Sequence, residues 1–138
     1  MNPISSHVFG ERGLSQVKIP VAFVGGSNDL ITPVLLEQIQ PFAWLGSREK
    51  YLLTIDKGVH SYDSSKILGV SIDSESDEPK APLRERSFNP QLARDYVKAM
   101  SLAFMQTHIA KQTKYRRFLS NNYAQHISKA PMRLYLID

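Results

Sequence analysis

The chain has 138 residues, enough for one domain with a modest core, and its 42% hydrophobic and 22% charged content describes a globular sequence, not a disordered one. It has no cysteine, which excludes disulfides, thiolate nucleophiles and cysteine-ligated zinc. No apolar run approaches the roughly 20 residues of a membrane-spanning helix. The net charge is +4, and its placement matters more than its size: Lys111, Lys114, Arg116, Arg117, Lys129 and Arg133 follow one another with no acidic residue between them. Such a stretch can attract an anionic partner. No glycine loop or nucleic-acid motif accompanies it, so a solvated helix face is expected and a nucleic-acid partner is not.

The N-terminal stretch "MNPISSHVFGERG" shows no basic segment followed by an apolar one, so no signal peptide is visible and a cytoplasmic location is expected. Residues 1–16 carry no strong periodicity. Pro20 can open a strand, and Val21, Ala22, Phe23 and Val24 form a short continuous apolar run ending at Gly25-Gly26, the pattern of a strand buried on both faces of a parallel sheet. Thr32-Pro33 reads as a helix start, Thr32 as N-cap and Pro33 as the first helical residue. Val34, Leu35, Gln38 and Ile39 then begin an amphipathic turn or two. Pro41 interrupts it, and "PFAWLG" is expected to be a separate turn that buries Phe42 and Trp44. "KYLLTID" is a second apolar strand. Residues 21–55 therefore predict one βαβ unit with two parallel strands and a crossover, an α/β fold.

Order fades from Ser61 to Ser87, and residues 63–88 read as an exposed loop, acidic and then basic with two prolines. Asp73, Glu75 and Asp77 occupy the first, third and fifth places of a calcium loop. Glu78 stands where glycine is needed and Arg84 where glutamate is needed, so calcium binding is not expected, nor any other metal or cofactor. Residues 89–138 predict C-terminal helices and a tail. Asn89 caps and Pro90 opens the clearest helix, with Leu92, Tyr96, Ala99, Met100, Ala103 and Phe104 on one stripe. A second helix over 113–128 would gather Tyr115, Phe118, Leu119, Tyr123 and Ile127. "MRLYLID" closes the chain as a short strand or extended tail.

Three residues after the first strand invite a chemical reading. Ser27 lies in Gly25-Gly26-Ser27-Asn28-Asp29, one residue short of a G-x-S-x-G nucleophile elbow, because aspartate stands in the last glycine's place. A turn role for Ser27 follows. Asp29 sits just past the end of a parallel strand, where open α/β sheets carry their working residues. The second strand leads into Asp56-Lys57-Gly58-Val59-His60, so His60 stands on the same rim. An aspartate there can accept the imidazole Nδ1–H and stabilise the imidazolium; Gly58 is expected to free the turn that aims the ring. The plainer roles are a turn-forming aspartate and a surface histidine. His7, His108 and His126 have no comparable setting, although His108 lies near a helix C-terminus whose dipole favours a cation.

"IPVAFVGGSNDLITP" followed by "KYLLTIDKGVHSY" resembles the C-terminal portion of an α/β-hydrolase of the dienelactone-hydrolase-like branch. Gly26-Ser27-Asn28-Asp29 with Pro33 matches that family's G-x-x-D-x-x-x-P, and Gly58-Val59-His60 its G-x-H. The match covers residues 17–62, a strand, acid loop, helix, strand and histidine loop. It implies a partial α/β-hydrolase fold over 1–138, the last two parallel strands with their crossover helix plus C-terminal helices, and it implies Asp29 and His60 as triad acid and base for ester or lactone hydrolysis. The nucleophile elbow and oxyanion loop precede this region in the family, so the chain by itself is expected to be weak or inactive, and to self-associate through its sheet edge or to dissolve poorly. Two alternatives stand beside this reading. One is a non-enzymatic interaction module using the basic helical face. The other is one half of a two-chain hydrolase.

Overall fold

The computed structural model describes residues 5–60 and 88–138. The calcium-like loop and most of the exposed segment expected over 63–88 fall outside these residues. Phe88, at the end of that segment, is half-buried and packs on the core.

A three-stranded mixed sheet organises the chain in the order β1-β2-β3. Strand β1 (Val21–Gly26) runs parallel to β2 (Lys50–Ile55), Val21 opposite Lys50 and Gly26 opposite Ile55. Strand β3 (Leu134–Ile137) returns antiparallel on the far side of β2. Its alternation is regular, Leu134 and Leu136 inward, Tyr135 and Ile137 outward, as expected of a strand with one face on a core. The parallel pair and its crossover agree with the α/β reading. The tail adds an antiparallel strand that shields β2.

Side chains alternate across β2, so Tyr51, Leu53 and Ile55 share one face. There they meet Ala93, Tyr96, Met100 and Ala103 of α3 (Pro90–His108), together with Leu119, Ala124, Met132, Leu134 and Leu136. Asn89 caps α3 as its sequence indicates: its side chain accepts the Leu92 N–H at 3.0 Å. The buried Tyr96 hydroxyl donates to the Met132 carbonyl and accepts the Lys129 N–H, tying α3 to the turn before β3 without an orphaned polar group. On the opposite face lie α1 (Ser6–Leu14), a π-helical turn (Leu35–Ile39) and α2 (Gln40–Trp44). Lys50 fixes α2 there by donating to the Phe42 and Leu45 carbonyls.

Several local expectations are overturned, each for a visible reason. Within residues 1–16, which carry no strong periodicity, Ser6–Leu14 form α1, kinked at Gly10 (φ 58°). The helix after Pro33 opens at Val34, because the Thr32 hydroxyl is directed to Asp29 and does not serve as N-cap. Of the expected stripe, Gln38 is buried and Val34 half-buried, but the two large apolar members turn outward. Leu35 and Ile39 are exposed, whereas Glu37 and Gln38 are buried. Glu37 is drawn inward because its carboxylate accepts the Ser5 N–H, the Ser6 N–H and the Ser6 hydroxyl at 2.7 to 3.0 Å, satisfying the first turn of α1. Burial pushes this carboxyl up, but those donors and the nearby His7 outweigh it and hold it below the ordinary glutamate value.

Pro41 and Leu45, not Phe42 and Trp44, are the buried members of "PFAWLG". The single helix expected over 113–128 is a 3-10 helix (Thr113–Phe118) and a separate α4 (Asn121–Ile127), divided where Ser120 caps α4 by accepting the Tyr123 N–H. The six basic residues therefore spread over several elements and do not form one helical face. Finally, β1 is only half-buried, because among the described residues β2 is its one ladder partner.

Candidate active site

Two loops leave the carboxyl ends of β1 and β2 side by side. They are stitched by two backbone bonds, Ser27 N–H to the Ile55 carbonyl at 3.0 Å and Asn28 N–H to the Gly58 carbonyl at 2.8 Å, while the Gly58 N–H closes its own turn on the Ile55 carbonyl at 3.0 Å. The fit requires glycine on both sides. A Cβ on Gly26 would overlap the Gly58 carbonyl, and one on Gly58 would lie 3.0 Å from the Gly26 Cα. Gly58 was expected to supply conformational freedom. Its part is instead close approach, and the left-handed residue of the turn is Lys57, at φ 59°.

Ser27 closes the same seam. Its hydroxyl donates to Asp56 Oδ1 at 3.2 Å and accepts the Lys57 N–H at 2.8 Å. The turn role follows from these bonds.

The seam brings Asp29 and His60 together, 31 residues apart in sequence. Asp29 is 3% exposed, and its carboxylate is saturated with donors. Oδ1 accepts the Ile31 N–H at 2.9 Å and the Thr32 N–H at 2.8 Å, and Oδ2 accepts the Thr32 hydroxyl at 2.7 Å. His60 Nδ1 lies 3.0 Å from Oδ2 and 3.2 Å from Oδ1. An ionised carboxylate only accepts, so this contact selects the ring tautomer with its proton on Nδ1. Burial works to raise the Asp29 pKa. The Thr32 hydroxyl, the Thr32 N–H, His60 and the Ile31 N–H outweigh it, and the carboxyl ionises below the usual aspartate value. The His60 side chain is 36% exposed, so the pair is anchored at its acidic end and reaches solvent at its basic end.

Asp29 thus does two things at once. Its Oδ1 closes a turn onto Ile31 and Thr32, two and three residues on, the plainer role expected from sequence, while Oδ2 faces the imidazole. Sequence reasoning missed the part of Thr32. This residue is 1% exposed, donates to Asp29 and places its oxygen 3.1 Å from His60 Nδ1, where it can share the ring proton. Its three-residue spacing from Asp29 was the available signal, read instead as a helix cap.

The other histidines stand apart from this rim. His7 is exposed near Glu37, and His126 is exposed on α4. His108 belongs to a second polar cluster. Its Nε2 lies 3.3 Å from the Tyr51 hydroxyl, which donates to Glu49 at 3.0 Å; Arg116 grips Glu49 in a two-pronged pair at 2.7 and 2.9 Å. Arg116 holds the Glu49 carboxyl down at about 2. Burial, with Glu49, pushes Tyr51 up to about 12, and burial lowers His108.

The Glu49 carboxylate is stabilised by folding, so its contribution is present above the ordinary glutamate pKa and is lost as the pH falls toward 2. Because the Arg116 and Glu49 side chains are 51% and 39% exposed, solvent screens the pair. Arg116→Ala is expected to cost no more than about 1 kcal/mol in urea unfolding, with the difference shrinking at high salt. A loss of several kcal/mol would show that Arg116 anchors the C-terminal segment by more than this pair.

The fold and rim define a mixed α/β protein with a buried aspartate and a partly exposed histidine paired at the carboxyl ends of two parallel strands. The chain matches no protein-family model, no curated protein and no solved structure. Among the described residues no group of three or more His, Cys, Asp or Glu could hold a metal ion, and no helix is long and apolar enough to cross a membrane.

Proposed function

We propose that Asp29 and His60 are the acid and base of a Ser-His-Asp acyl-transfer triad, in a partial α/β-hydrolase fold of the dienelactone-hydrolase-like type. The observation that carries this reading is the 3.0 Å contact between His60 Nδ1 and a carboxylate held ionised inside the protein. In this role His60 takes the serine proton through Nε2 as general base and returns it to the leaving group as general acid. Asp29 holds the tautomer and stabilises the imidazolium. The substrate class is a small ester or lactone.

No G-x-S-x-G elbow occurs in this sequence, and Ser27 is engaged by Asp56 and Lys57. In this reading the serine and the N–H donors for the oxyanion are supplied by another segment or another chain. Acyl transfer needs both.

For these 138 residues alone, p-nitrophenyl acetate hydrolysis is expected at the water background, with His60→Ala indistinguishable from the parent. Robust turnover abolished by His60→Ala would place a nucleophile inside the sequence. The positive test joins the chain to a segment from its own gene or an adjoining reading frame that encodes a G-x-S-x-G strand-turn-helix. Activity that requires both that serine and His60 supports the triad. Activity indifferent to His60→Ala refutes it.

A further inference from the structure

The loop that leaves β1 buries its polar residues and exposes its apolar ones. Asp29 and Thr32 are buried, while Leu30 and Ile31 between them face solvent. Hydrophobic burial alone would set them the other way. A threonine taken out of water needs hydrogen bonds that offset its desolvation, and Thr32 finds them on one carboxylate. Its N–H goes to Asp29 Oδ1 at 2.8 Å and its hydroxyl to Oδ2 at 2.7 Å. Pro33 disfavours the helical region for the residue before it, which keeps Thr32 in the loop; the helix opens only at Val34.

Three oxygens of the described residues surround His60 Nδ1: Asp29 Oδ2 at 3.0 Å, Thr32 Oγ1 at 3.1 Å and Asp29 Oδ1 at 3.2 Å. Oδ2, Oγ1 and Nδ1 therefore form a triangle with every side within hydrogen-bond distance. Counting hydrogens decides how it is used. The ionised carboxylate has none to give, and the hydroxyl has one. A charged acceptor holds that hydrogen more strongly than a neutral one, so it stays on the Oδ2 side and the Oγ1 lone pairs are what the ring meets. With a proton on Nδ1, the ring donates into a set of acceptors. With the proton on Nε2 instead, the Nδ1 lone pair faces those same oxygens. The hydroxyl could relieve this only by leaving Oδ2, which takes a donor from a buried carboxylate.

We propose that Thr32 is a positioning residue for His60, acting through Asp29: the carboxylate orients the threonine hydroxyl, and the hydroxyl oxygen becomes a second acceptor that fixes the imidazole with its proton on Nδ1. Nε2 is then the nitrogen that can take a proton. The second acceptor matters because the His60 side chain is 36% exposed. A ring held by the carboxylate alone can turn toward water at the loss of one partner. A ring that also meets Oγ1 loses two. The inference rests on the triad reading only for the use made of Nε2. The tautomer is read without any reaction, so an inactive chain leaves the inference standing, and an unaltered tautomer leaves the hydrolase reading standing.

Ring ¹⁵N NMR of the full chain, recorded above the pH at which the ring titrates, measures this directly. The parent is expected to show a single tautomer, Nδ1 protonated and Nε2 not. Thr32→Val removes the hydroxyl and keeps the branched shape, and both ring nitrogens should move toward the averaged positions of a histidine in water. Thr32→Ser returns the hydroxyl and should restore the parent spectrum, which a packing role for the threonine would not do. In an Asp29→Asn background, Thr32→Val should shift the ring nitrogens much less than it does in the parent, because its effect is carried by the carboxylate. A further measurement needs no variant and so does not depend on how well one folds: the parent should give a nuclear Overhauser effect between the Thr32 hydroxyl proton and the His60 Nδ1 proton. A Thr32→Val protein with the parent ring spectrum would overturn the proposal. So would a Thr32→Ser protein that behaves like Thr32→Val, an undiminished Thr32→Val shift in Asp29→Asn, or a parent ring that carries its proton on Nε2.

Discussion

Gly26→Ala is expected to destabilise the protein by roughly 3 kcal/mol or more, a large fraction of what a domain this size possesses. The added methyl points at the Gly58 carbonyl, and the obstruction is backbone, which cannot turn aside as a side chain would. The loops must part. That sacrifices the Asn28-to-Gly58 and Ser27-to-Ile55 hydrogen bonds, at about 1 kcal/mol each, in addition to the strain. Gly58→Ala meets the Ile55 carbonyl at 2.9 Å and the Gly26 Cα at 3.0 Å, a milder overlap, and should cost about 1–2 kcal/mol. Urea unfolding of the two variants measures the order. Since the same loops carry Asp29 and His60, Gly26→Ala should also shift the His60 ring resonances in NMR spectra. A Gly26→Ala protein within about 1 kcal/mol of the parent would show that the two loops are not tightly abutted.

Asp29→Ala is expected to cost about 3 kcal/mol, well above His60→Ala. The difference separates the two jobs of the carboxylate. Removing it strands the buried Thr32 N–H, takes the acceptor from the part-buried Ile31 N–H and leaves the Thr32 hydroxyl only His60 Nδ1 to bond, and a buried donor without an acceptor costs about 1–3 kcal/mol. Removing the imidazole takes one donor from a carboxylate that keeps three others, at a site partly open to water. Asp29→Asn keeps an acceptor for the backbone and loses the charge, so it should fall between them. It should also change the tautomer of His60, readable from ring ¹⁵N shifts, because an amide can donate toward Nδ1.

The acid response follows from the direction of the Asp29 shift. Its folded pKa lies below that of the unfolded chain, about 3.9. The stabilisation is therefore fully present above that value and is lost as the pH falls through the lower folded one. Asp29→Asn should flatten this limb of the stability profile below about pH 4. An unchanged acid limb, or an Asp29→Ala protein as stable as His60→Ala, would remove Asp29 from the turn.

What could be read before any coordinates was set by short-range chemistry. Two apolar runs bounded by glycine announced β1 and β2, and Asn89-Pro90 announced α3, because those signals lie within a few residues of their effect. The acid and histidine were legible for a related reason. In a βαβ unit consecutive strand ends share a rim, so spacing alone placed Asp29 and His60 within reach, and the 3.0 Å contact agrees.

Other features depended on partners distant in the chain. Glu37 faces inward and Leu35 outward because Ser5 and Ser6, more than thirty residues earlier, supply donors that no helical pattern around Glu37 encodes. Thr32 was misread because capping and bridging use the same hydroxyl, and only the arrival of Asp29 and His60 beside it decides between them. Gly58 was correctly singled out for the wrong property: a glycine's need for space is indistinguishable in sequence from a need for unusual torsion angles, and Gly26 on the neighbouring strand settles which applies. Local composition thus determined which elements form and where polar groups can sit along them. The tertiary structure decided which face each element buries and which donors reach each carboxylate, because desolvation and hydrogen bonding act between groups that meet only in the folded chain.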